Sequence, residues 1–356
     1  MMEKTLPEVC IIQYGFPFDS SKFCSAEGVP LVRIRDVVRG YSETYTTEIA
    51  GENYIVNDGD LLIGMDGEFN IAYWKGGRAY LNQRVCRLIP REDVDRDYIF
   101  YYMPQALKAI EDATPFVTVK HLSAKQLSKI LIPLPDMSEQ QRISAVLRSV
   151  DRVIAMRKKE LDELNNLVKS RFIELFGDQT ANPYAWQQTS IGACCTLKSG
   201  TSLPADRENE GGAIPYVKVG DMNYPGNEQY ITTSSRFVSE QTAGTGVFPV
   251  GTVVFPKRGG AIGTNKKRLT RIPICADLNV MGVTAGRRLT PQYLMAYFNT
   301  VDLGTLNNGS SVPQINNKDI APLLICIPPM ALQEQFAAFV EQTDKSKLCG
   351  KMEVAA

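Results

Sequence analysis

The chain contains two copies of one sequence pattern, and this repeat limits its fold more than any other feature. The stretch VPLVRIRD (29–36) resembles IPYVKVGD (214–221), 185 residues later. Three further pairs follow in the same order at offsets of 192 to 195: NDGDLL (57–62) with PVGTVV (249–254), YIFYY (98–102) with YLMAY (293–297), and IPLPDM (132–137) with ICIPPM (325–330). Because the order is kept and the offsets drift as loop insertions would make them drift, we predict two tandem domains rather than a solenoid.

Each copy mixes strand and helix signals. Short β-branched runs bounded by Gly, Asn and Asp predict strands, and one longer segment per copy has a helical apolar period. The predicted strands are 29–34, 60–64, 85–89, 215–219 and 251–255, and the predicted helices are 97–111 and 291–301. The fold class expected for each copy is therefore α+β.

A long helix is predicted between the copies. Ser138 to Gln141 forms an S-x-x-Q capping box after two prolines, and Gly177 is a typical helix end. Apolar residues recur in a 4-3-4 spacing with Arg157 and Arg171 in the two missing places, which predicts a coiled-coil interface. The interface residues are Ile143, Leu147, Val150, Ile154, Leu161, Leu164, Val168 and Leu175. Periodicity alone does not separate a plain linker from a ruler about 58 Å long, but similar domains at both ends favour the ruler.

These signals predict four segments. They are a first domain (1–137), the coiled-coil helix (138–178), a second domain (179–330), and a truncated second copy of the helix with a tail (331–356). The last segment begins like the central helix but continues without heptads after Lys347. We therefore expect its helix to have under half the length of the central one and to leave most of that helix without a partner.

Composition excludes several kinds of site. The only histidine, His121, argues against a histidine metal site or a Ser-His triad, and the eight scattered cysteines form no metal or disulfide pattern. No signal segment or membrane-spanning apolar run is found, so we expect a cytoplasmic protein. Net charge is zero, but residues 1–137 carry 15 basic and 19 acidic groups while residues 179–330 carry 13 and 9. The second copy, at +4, is better suited to phosphate contacts.

The basic run KRGGAIGTNKKR (257–268) indicates phosphate binding. It lacks the G-x-x-x-x-G-K-[ST] spacing of a nucleotide loop, because Gly263 is followed by Thr264 and Asn265 before Lys266. A solvated hairpin is a common role for such a run, but its place in the second copy favours the backbone of DNA. The predicted DNA-binding cations are Lys257, Arg258, Lys266, Lys267 and Arg268.

Other polar residues are weaker candidates. The equivalent first-copy loop, GMDGEFN (64–70), offers Glu68 and Asn70 for base contacts, although a plain turn explains it equally well. Arg33, Arg35 and Lys218 are predicted phosphate contacts on strands, where a solvent face is the more common explanation. Lys120 is a further possible phosphate contact, and Gln83, Arg84 and Asn279 are similar guesses near the strand ends. His121 is expected to be structural or at the surface.

The central region resembles a known family. PLPDMSEQQRI (133–143), running through the heptads to ELFGD (174–178), is similar to the central conserved region of specificity subunits of type I restriction-modification systems. NPYAW (182–186), IG (191–192) and KSG (198–200) resemble the entry to the second target recognition domain of such subunits. Segments 64–70 and 257–263 are similar to parts of these recognition domains.

The resemblance implies a function for the whole chain. Each recognition domain would read one half of a split target in double-stranded DNA, and the two helices would pair antiparallel to set the unread spacer. The helices would also dock modification subunits, which bring S-adenosylmethionine, while restriction subunits bring ATP-driven and Mg-dependent steps. The specificity subunit itself is expected to be non-catalytic and to hold no cofactor. Two alternatives stay open: a duplicated scaffold that does not bind DNA, and a truncated, silent specificity cassette.

Overall fold

The computed structural model describes residues 2–114, 120–209, 211–306 and 312–355. These form two compact units, Met1–Ala155 and Met156–Ala356, and each unit contains one copy of the repeat and part of the central helix. Within the described ranges, no helix is both long and apolar enough to cross a lipid bilayer.

The first unit is built from short strands and a few helices. Its strands are β1 (Met2–Thr5), β2 (Cys10–Tyr14), β3 (Phe23–Cys24), β4 (Val29–Val32), β5 (Tyr45–Thr46), β6 (Ile55–Val56), β7 (Leu61–Gly64), β8 (Asn70–Tyr73), β9 (Ala79–Leu81), β10 (Val85–Pro90) and β11 (Leu131–Leu134). Its helices are α1 (Leu6–Val9), α2 (Ile34–Arg39), α3 (Arg96–Ala113), α4 (Ala124–Leu127) and the first part of α5 (Met137–Phe176).

Three sheets organise the first unit. One sheet has the antiparallel order β2-β10-β7-β8, a second has the order β3-β5-β4-β9-β6 with β4 and β9 parallel, and β1 pairs with β11. Strand β7 separates two cores, because side chains alternate between the faces of a strand. Leu61 and Ile63 pack with Ile99 of α3, whereas Leu62 packs with Trp74 and Val85 on the other face.

The second unit repeats this plan. Its strands are β12 (Gln187–Ser190), β13 (Cys195–Ser199), β14 (Ile214–Val217), β15 (Tyr230–Ile231), β16 (Phe237–Val238), β17 (Thr252–Pro256), β18 (Arg268–Thr270), β19 (Cys275–Ala276), β20 (Val280–Ala285) and β21 (Leu324–Ile327). Its helices are the last part of α5, α6 (Ile191–Cys194), α7 (Glu240–Ala243), α8 (Pro291–Thr300), α9 (Asn317–Ile320) and α10 (Met330–Ala355).

Strand pairing in the second unit follows that of the first. The main sheet has the order β13-β20-β17-β18-β15, a smaller sheet has the order β16-β14-β19 with β14 and β19 parallel, and β12 pairs with β21. Val253 and Phe255 of β17 face one core, and Val254 faces the other. The sequence repeat therefore corresponds to a repeat of the fold, and the predicted α+β class with two similar domains is confirmed.

The strand predicted over 29–34 is wrong at its end. β4 stops at Val32, and the chain turns into α2 because the buried Asp36 carboxylate accepts the backbone N–H of Arg33 at 2.9 Å. The second copy has the same feature, where Asp221 accepts the N–H of Lys218 at 2.8 Å before a 3₁₀ turn over Val219–Asn223. Arg35 and Arg39 thus lie on a helix and not on a strand.

The central helix is present over 40 residues, but its cap differs from the prediction. Asp136 caps it by accepting the Glu139 N–H at 2.9 Å and the Ser138 hydroxyl at 2.6 Å. Ser138 is therefore inside the helix and is not its N-cap.

The second long helix is shorter than the central one, as predicted, but its 26 residues against 40 are more than the expected half. α10 has 26 residues and continues to Ala355, because regular helix does not require heptads. It also provides a partner for the last turns of α5. The ring of Phe336 lies 5.6 Å from the rings of both Phe172 and Phe176.

A buried glutamine attaches each long helix to its own domain. Gln140 accepts the Asp95 N–H at 2.8 Å and donates to the Pro135 carbonyl at 2.9 Å and the Asp93 carbonyl at 3.4 Å. Asp95 is the N-cap of α3. Gln140 therefore connects the first turn of α5 to the first turn of α3.

The second copy repeats this arrangement at Gln333. Its side chain accepts the Thr290 N–H at 2.9 Å and donates to the carbonyls of Pro328 at 2.9 Å and Arg288 at 3.0 Å. Thr290 is the N-cap of α8. Both glutamines are 1% exposed or less.

Candidate nucleic-acid interface

In the first unit, three backbone segments meet beyond the end of β7. The N–H of Leu122 donates to Met65 at 2.7 Å, and the N–H of Gly67 donates to Lys120 at 2.9 Å. The N–H of Met65 donates to the carbonyl of Arg84 at 3.0 Å. The loop after β7 is thus fixed on both sides by backbone hydrogen bonds.

The second unit has the same arrangement beyond β17. The N–H of Ile315 donates to Lys257 at 2.9 Å, and that of Gly259 donates to Pro313 at 2.8 Å. The N–H of Lys257 donates to the carbonyl of Asn279 at 2.8 Å. Isolated bridges occupy equivalent places, Asp66 with His121 and Arg258 with Gln314.

These equivalences define two matched sets of side chains. We name the set in the first unit the first edge and the set in the second unit the second edge. The first edge comprises Asp66, Arg84 and His121, and the second comprises Arg258, Asn279 and Gln314.

The side chains of the first edge form one polar cluster. A carboxylate oxygen of Asp66 lies 2.5 Å from Nδ1 of His121, and its other oxygen lies 3.5 Å from Nε of Arg84. Arg84 and His121 are 49% and 48% exposed, whereas Asp66 is 19% exposed. The acid is thus enclosed, and the two nitrogen-bearing side chains are open to solvent.

The 2.5 Å contact fixes the imidazole of His121. A carboxylate can only accept, so the proton of this hydrogen bond is on Nδ1. Nη1 of Arg84 lies 3.3 Å from the same Nδ1 and cannot donate to it when it carries that proton. Arg84 is therefore held by Asp66, and Nε2 of His121 has no partner among the described residues.

The second edge has different chemistry on the same frame. Arg258 is exposed and forms no side-chain hydrogen bond or ion pair within the described ranges. The amide of Asn279 donates to Asp277 at 2.6 Å, and the amide of Gln314 donates to Asn316 at 2.9 Å. Among the described residues, this edge therefore presents a guanidinium without a partner beside two amides that are held by hydrogen bonds.

The structure separates the five predicted cations of the basic run. Lys257 is buried, its ammonium donates to the Ser199 hydroxyl at 2.8 Å, and burial lowers its pKa. Lys267 is 5% exposed and donates to the Val301 carbonyl at 2.7 Å and to Asn265 at 2.8 Å. Both ammonium groups therefore already donate hydrogen bonds to acceptors inside the second unit.

Arg268 is likewise part of the fold. Its guanidinium donates to the backbone carbonyls of Asn227 at 2.6 Å, Lys267 at 2.8 Å and Met222 at 3.1 Å. Lys266 is half-buried and donates to the side chain of Asn223. Of the five predicted DNA-binding cations of this run, Arg258 is exposed, and the other four are buried or half-buried with partners inside the domain.

The predicted cations at the start of each helical turn also have internal partners. Lys218 forms an ion pair with Glu208 at 2.6 Å. Arg35 donates to the Thr44 hydroxyl at 3.1 Å, and the guanidinium of Arg33 lies 5.9 Å from the ring centre of Phe23. None of the three lies on a strand, contrary to the prediction.

The remaining first-copy candidates lie near the first edge but differ in access. Glu68 is exposed, while Asn70 is half-buried at the start of β8 and donates to the Glu68 carbonyl at 3.0 Å. Lys120 is half-buried, and its ammonium donates to the Glu111 carbonyl at 2.6 Å. Glu68 is therefore the one of these three that is accessible in the described part of the chain.

Sequence reasoning placed Arg84 and Asn279 near these loops but did not group them with Asp66, His121 or Gln314. The signal that could have found the groups is the repeat itself. Asp66 and Arg258 differ by 192 positions and His121 and Gln314 by 193, which are offsets of the recognised repeat.

The predicted interface residues of α5 fall into three environments. Ile143 packs against a first-unit core, and Val168 and Leu175 pack against a second-unit core. Leu147 and Val150 are 37% and 49% exposed. The other predicted positions are half-buried: Ile154, Leu161 and Leu164.

No group of three or more His, Cys, Asp or Glu side chains in the described ranges is placed to hold a metal ion.

Comparison with known proteins is informative about the whole chain. The family model for the type I restriction modification DNA specificity domain matches residues 1–166 and again residues 183–350. The two matches correspond to the two copies of the repeat.

Two curated relatives are specificity subunits. The chain is 40% identical over 167 residues to the type I restriction enzyme EcoBI specificity subunit of Escherichia coli, covering 46% of this chain and 35% of that one. It is 24% identical over 290 residues to the MjaIX specificity subunit of Methanocaldococcus jannaschii, covering 73% and 65%. The chain thus spans less than two thirds of the length of either relative.

Solved structures share the fold. The crystal structure of a type I restriction-modification S subunit from M. genitalium superposes with a TM-score of 0.58 at 14% identity, covering 99% of this chain and 92% of that one. A chain from a structural study of type I R-M complex assembly gives a TM-score of 0.55 at 18% identity, with the same coverage.

Proposed function

Because the chain belongs to the type I restriction-modification DNA specificity family, we propose that it recognises a split DNA sequence, one half through each domain. The matched edges carry this proposal. The same backbone frame presents Asp66, Arg84 and His121 in one unit and Arg258, Asn279 and Gln314 in the other.

The chemistry of the edges suits base recognition. Arginine donates to the two acceptors of guanine in the major groove, amide side chains bracket adenine, and carboxylates accept from the amino group of cytosine. Since the two edges differ at all three positions, the two half-sites differ in sequence.

Partner subunits complete the proposed function. The half-exposed apolar residues Leu147 and Val150 on α5 are suited to helix–helix contact with a modification subunit, through which restriction subunits associate. Methyl transfer from S-adenosylmethionine and ATP- and Mg-dependent steps belong to those partners. This chain then acts without a catalytic centre or cofactor of its own, in the cytoplasm and away from membranes.

Selection from random DNA tests the proposal. The chain is purified with its modification subunit and incubated with random duplexes, and the bound fraction is sequenced. We expect a motif of two short blocks separated by unread positions. Recovery of no motif would contradict DNA recognition and favour a scaffold or a silent cassette.

Salt dependence of binding provides a second measurement. Arg258→Ala should reduce the slope of log K against log salt by about one, because one exposed cation is lost. Lys257→Met is the matched control, because Lys257 is next to Arg258 in the sequence but its ammonium already donates to the Ser199 hydroxyl inside the domain. Equal slopes for wild type and Arg258→Ala would remove Arg258 from the interface.

A further inference from the structure

The first edge contains a more specific arrangement than a general polar surface. We propose that Arg84 and His121, both oriented by Asp66, read one G·C base pair in one half of the target. This inference rests on the proposed DNA recognition and assigns residues and a base pair to it.

The three side chains are presented on a rigid frame. Backbone hydrogen bonds of 2.7 to 3.0 Å join the segments that carry them. Met65, next to Asp66, and Leu122, next to His121, are buried in the same core. Side chains held in this way lose little freedom on binding, which favours discrimination between similar ligands.

Asp66 acts as a positioning residue. It is the least exposed of the three, and its two oxygens contact Nδ1 of His121 and Nε of Arg84. These two contacts use one nitrogen atom of His121 and one of Arg84, and they leave the other nitrogen atoms of both side chains available for DNA. The Nη2 atom of Arg84 and the Nε2 atom of His121 have no partners among the described residues.

The donor and acceptor groups of this cluster match those of a G·C pair. Guanine presents two neighbouring acceptors, N7 and O6, in the major groove, and a guanidinium donates to both. Adenine replaces one acceptor with an amino donor, which would face the donor groups of Arg84. With its proton on Nδ1, the imidazole of His121 offers Nε2 as an acceptor for the cytosine amino group, so G·C fits the two reading side chains better than A·T.

The second edge differs from the first in the chemistry of its side chains. There Arg258 has no acidic partner within the described ranges, and the other two positions are the amides Asn279 and Gln314. Substitutions in the second edge therefore serve as controls for substitutions in the first edge.

The experiment repeats the selection from random DNA with variants of the holo-complex. Wild type should yield a motif with a G·C pair in one block. Arg84→Ala and His121→Ala should each lower the preference at that position by about tenfold and leave the other block unchanged. Asp66→Asn should weaken the same preference without altering any other position.

Arg84→Lys separates base reading from charge. Lysine keeps the positive charge but not the planar pair of donors, so binding to random DNA and its salt slope should be retained while guanine preference falls. Asn279→Ala is the control, and it should change the other block only.

Two results would overturn the assignment. An unchanged motif in Arg84→Ala and His121→Ala would make the cluster a surface ion pair, and an equal loss of affinity for all sequences would make it a phosphate contact. A wild-type complex that selects no motif at all would overturn the proposed function itself, and this inference with it.

Discussion

Lys267 is a cation placed inside a folded domain. It is 5% exposed, and two oxygen acceptors surround its ammonium group. Burial lowers its pKa from the ordinary value of 10.5 to about 8, because the charged form loses hydration. Its role is to connect the turn at Asn265 to the end of α8 at Val301.

A titration of stability tests this role. Since the unfolded chain holds the proton of Lys267 more tightly than the folded chain, its contribution to stability rises with pH between about 8 and 10.5. The free energy of unfolding of wild type minus that of Lys267→Met should therefore increase in this window, by at most about 1.4 kcal/mol per pH unit. Urea unfolding at pH 7.5, 8.5 and 9.5 measures it.

Lys266→Met controls for the loss of one positive charge from the same segment. A difference between wild type and Lys267→Met that stays constant or falls with pH would contradict a buried, charge-disfavouring site.

At the level of elements, the two buried glutamines attach the long helices to the domains. Gln140 satisfies one N–H and two carbonyl groups, and Gln333 does the same in the second copy. Because a buried polar group without a partner is costly, each glutamine contributes more than an ordinary surface hydrogen bond. The orientation of each helix on its own domain depends on these contacts.

Replacing either glutamine by leucine should destabilise one unit only. We expect Gln140→Leu to lower the free energy of unfolding of the first unit by about 2–4 kcal/mol, because three backbone groups lose their partners. Hydrogen exchange should accelerate at the first turn of α3 in Gln140→Leu and of α8 in Gln333→Leu. The exposed neighbours provide controls, Gln141→Leu and Gln335→Leu. Similar exchange in the glutamine variants and their controls would show that these side chains do not hold the helices.

The elements also show which features sequence can predict. The long helix and the main strands were predictable because their apolar periods extend over several residues. The turn into α2 was not predictable. This short helix depends on one buried carboxylate, Asp36, whereas the sequence VPLVRIRD has the composition of a strand.

The candidate site was predictable only in part. The basic run was visible, but its division into buried and exposed cations depends on distant residues. Ser199 lies 58 positions from Lys257, and Val301 lies 34 positions from Lys267. Such contacts are properties of the assembled fold and have no local signal.

At the level of the whole molecule, the proposed contact with a modification subunit depends on exposed apolar positions of α5. Leu147 and Val150 lie three residues apart and are on one side of the helix. We expect the double variant Leu147→Asp, Val150→Asp to lose co-purification with the modification subunit, because burying two carboxylates in a helix–helix contact is unfavourable.

The fold of that double variant should be unchanged, as measured by circular dichroism and urea unfolding. Ser149→Asp introduces a charge on an exposed residue of the same turn and should keep the partner bound. A double variant that still co-purifies in equal amount would place the docking surface elsewhere.

The pairing of β1 with β11, and of β12 with β21, brings the entrance and exit of each domain side by side. Exchange of the chain between such paired strands would replace one domain and leave the helix that follows it intact. We expect chimaeras joined within β12 and β21 to give folded protein, and chimaeras joined within the central strand β17 to aggregate. Equal soluble yields from both designs would show that a junction in the paired strands is tolerated no better than a junction inside the main sheet.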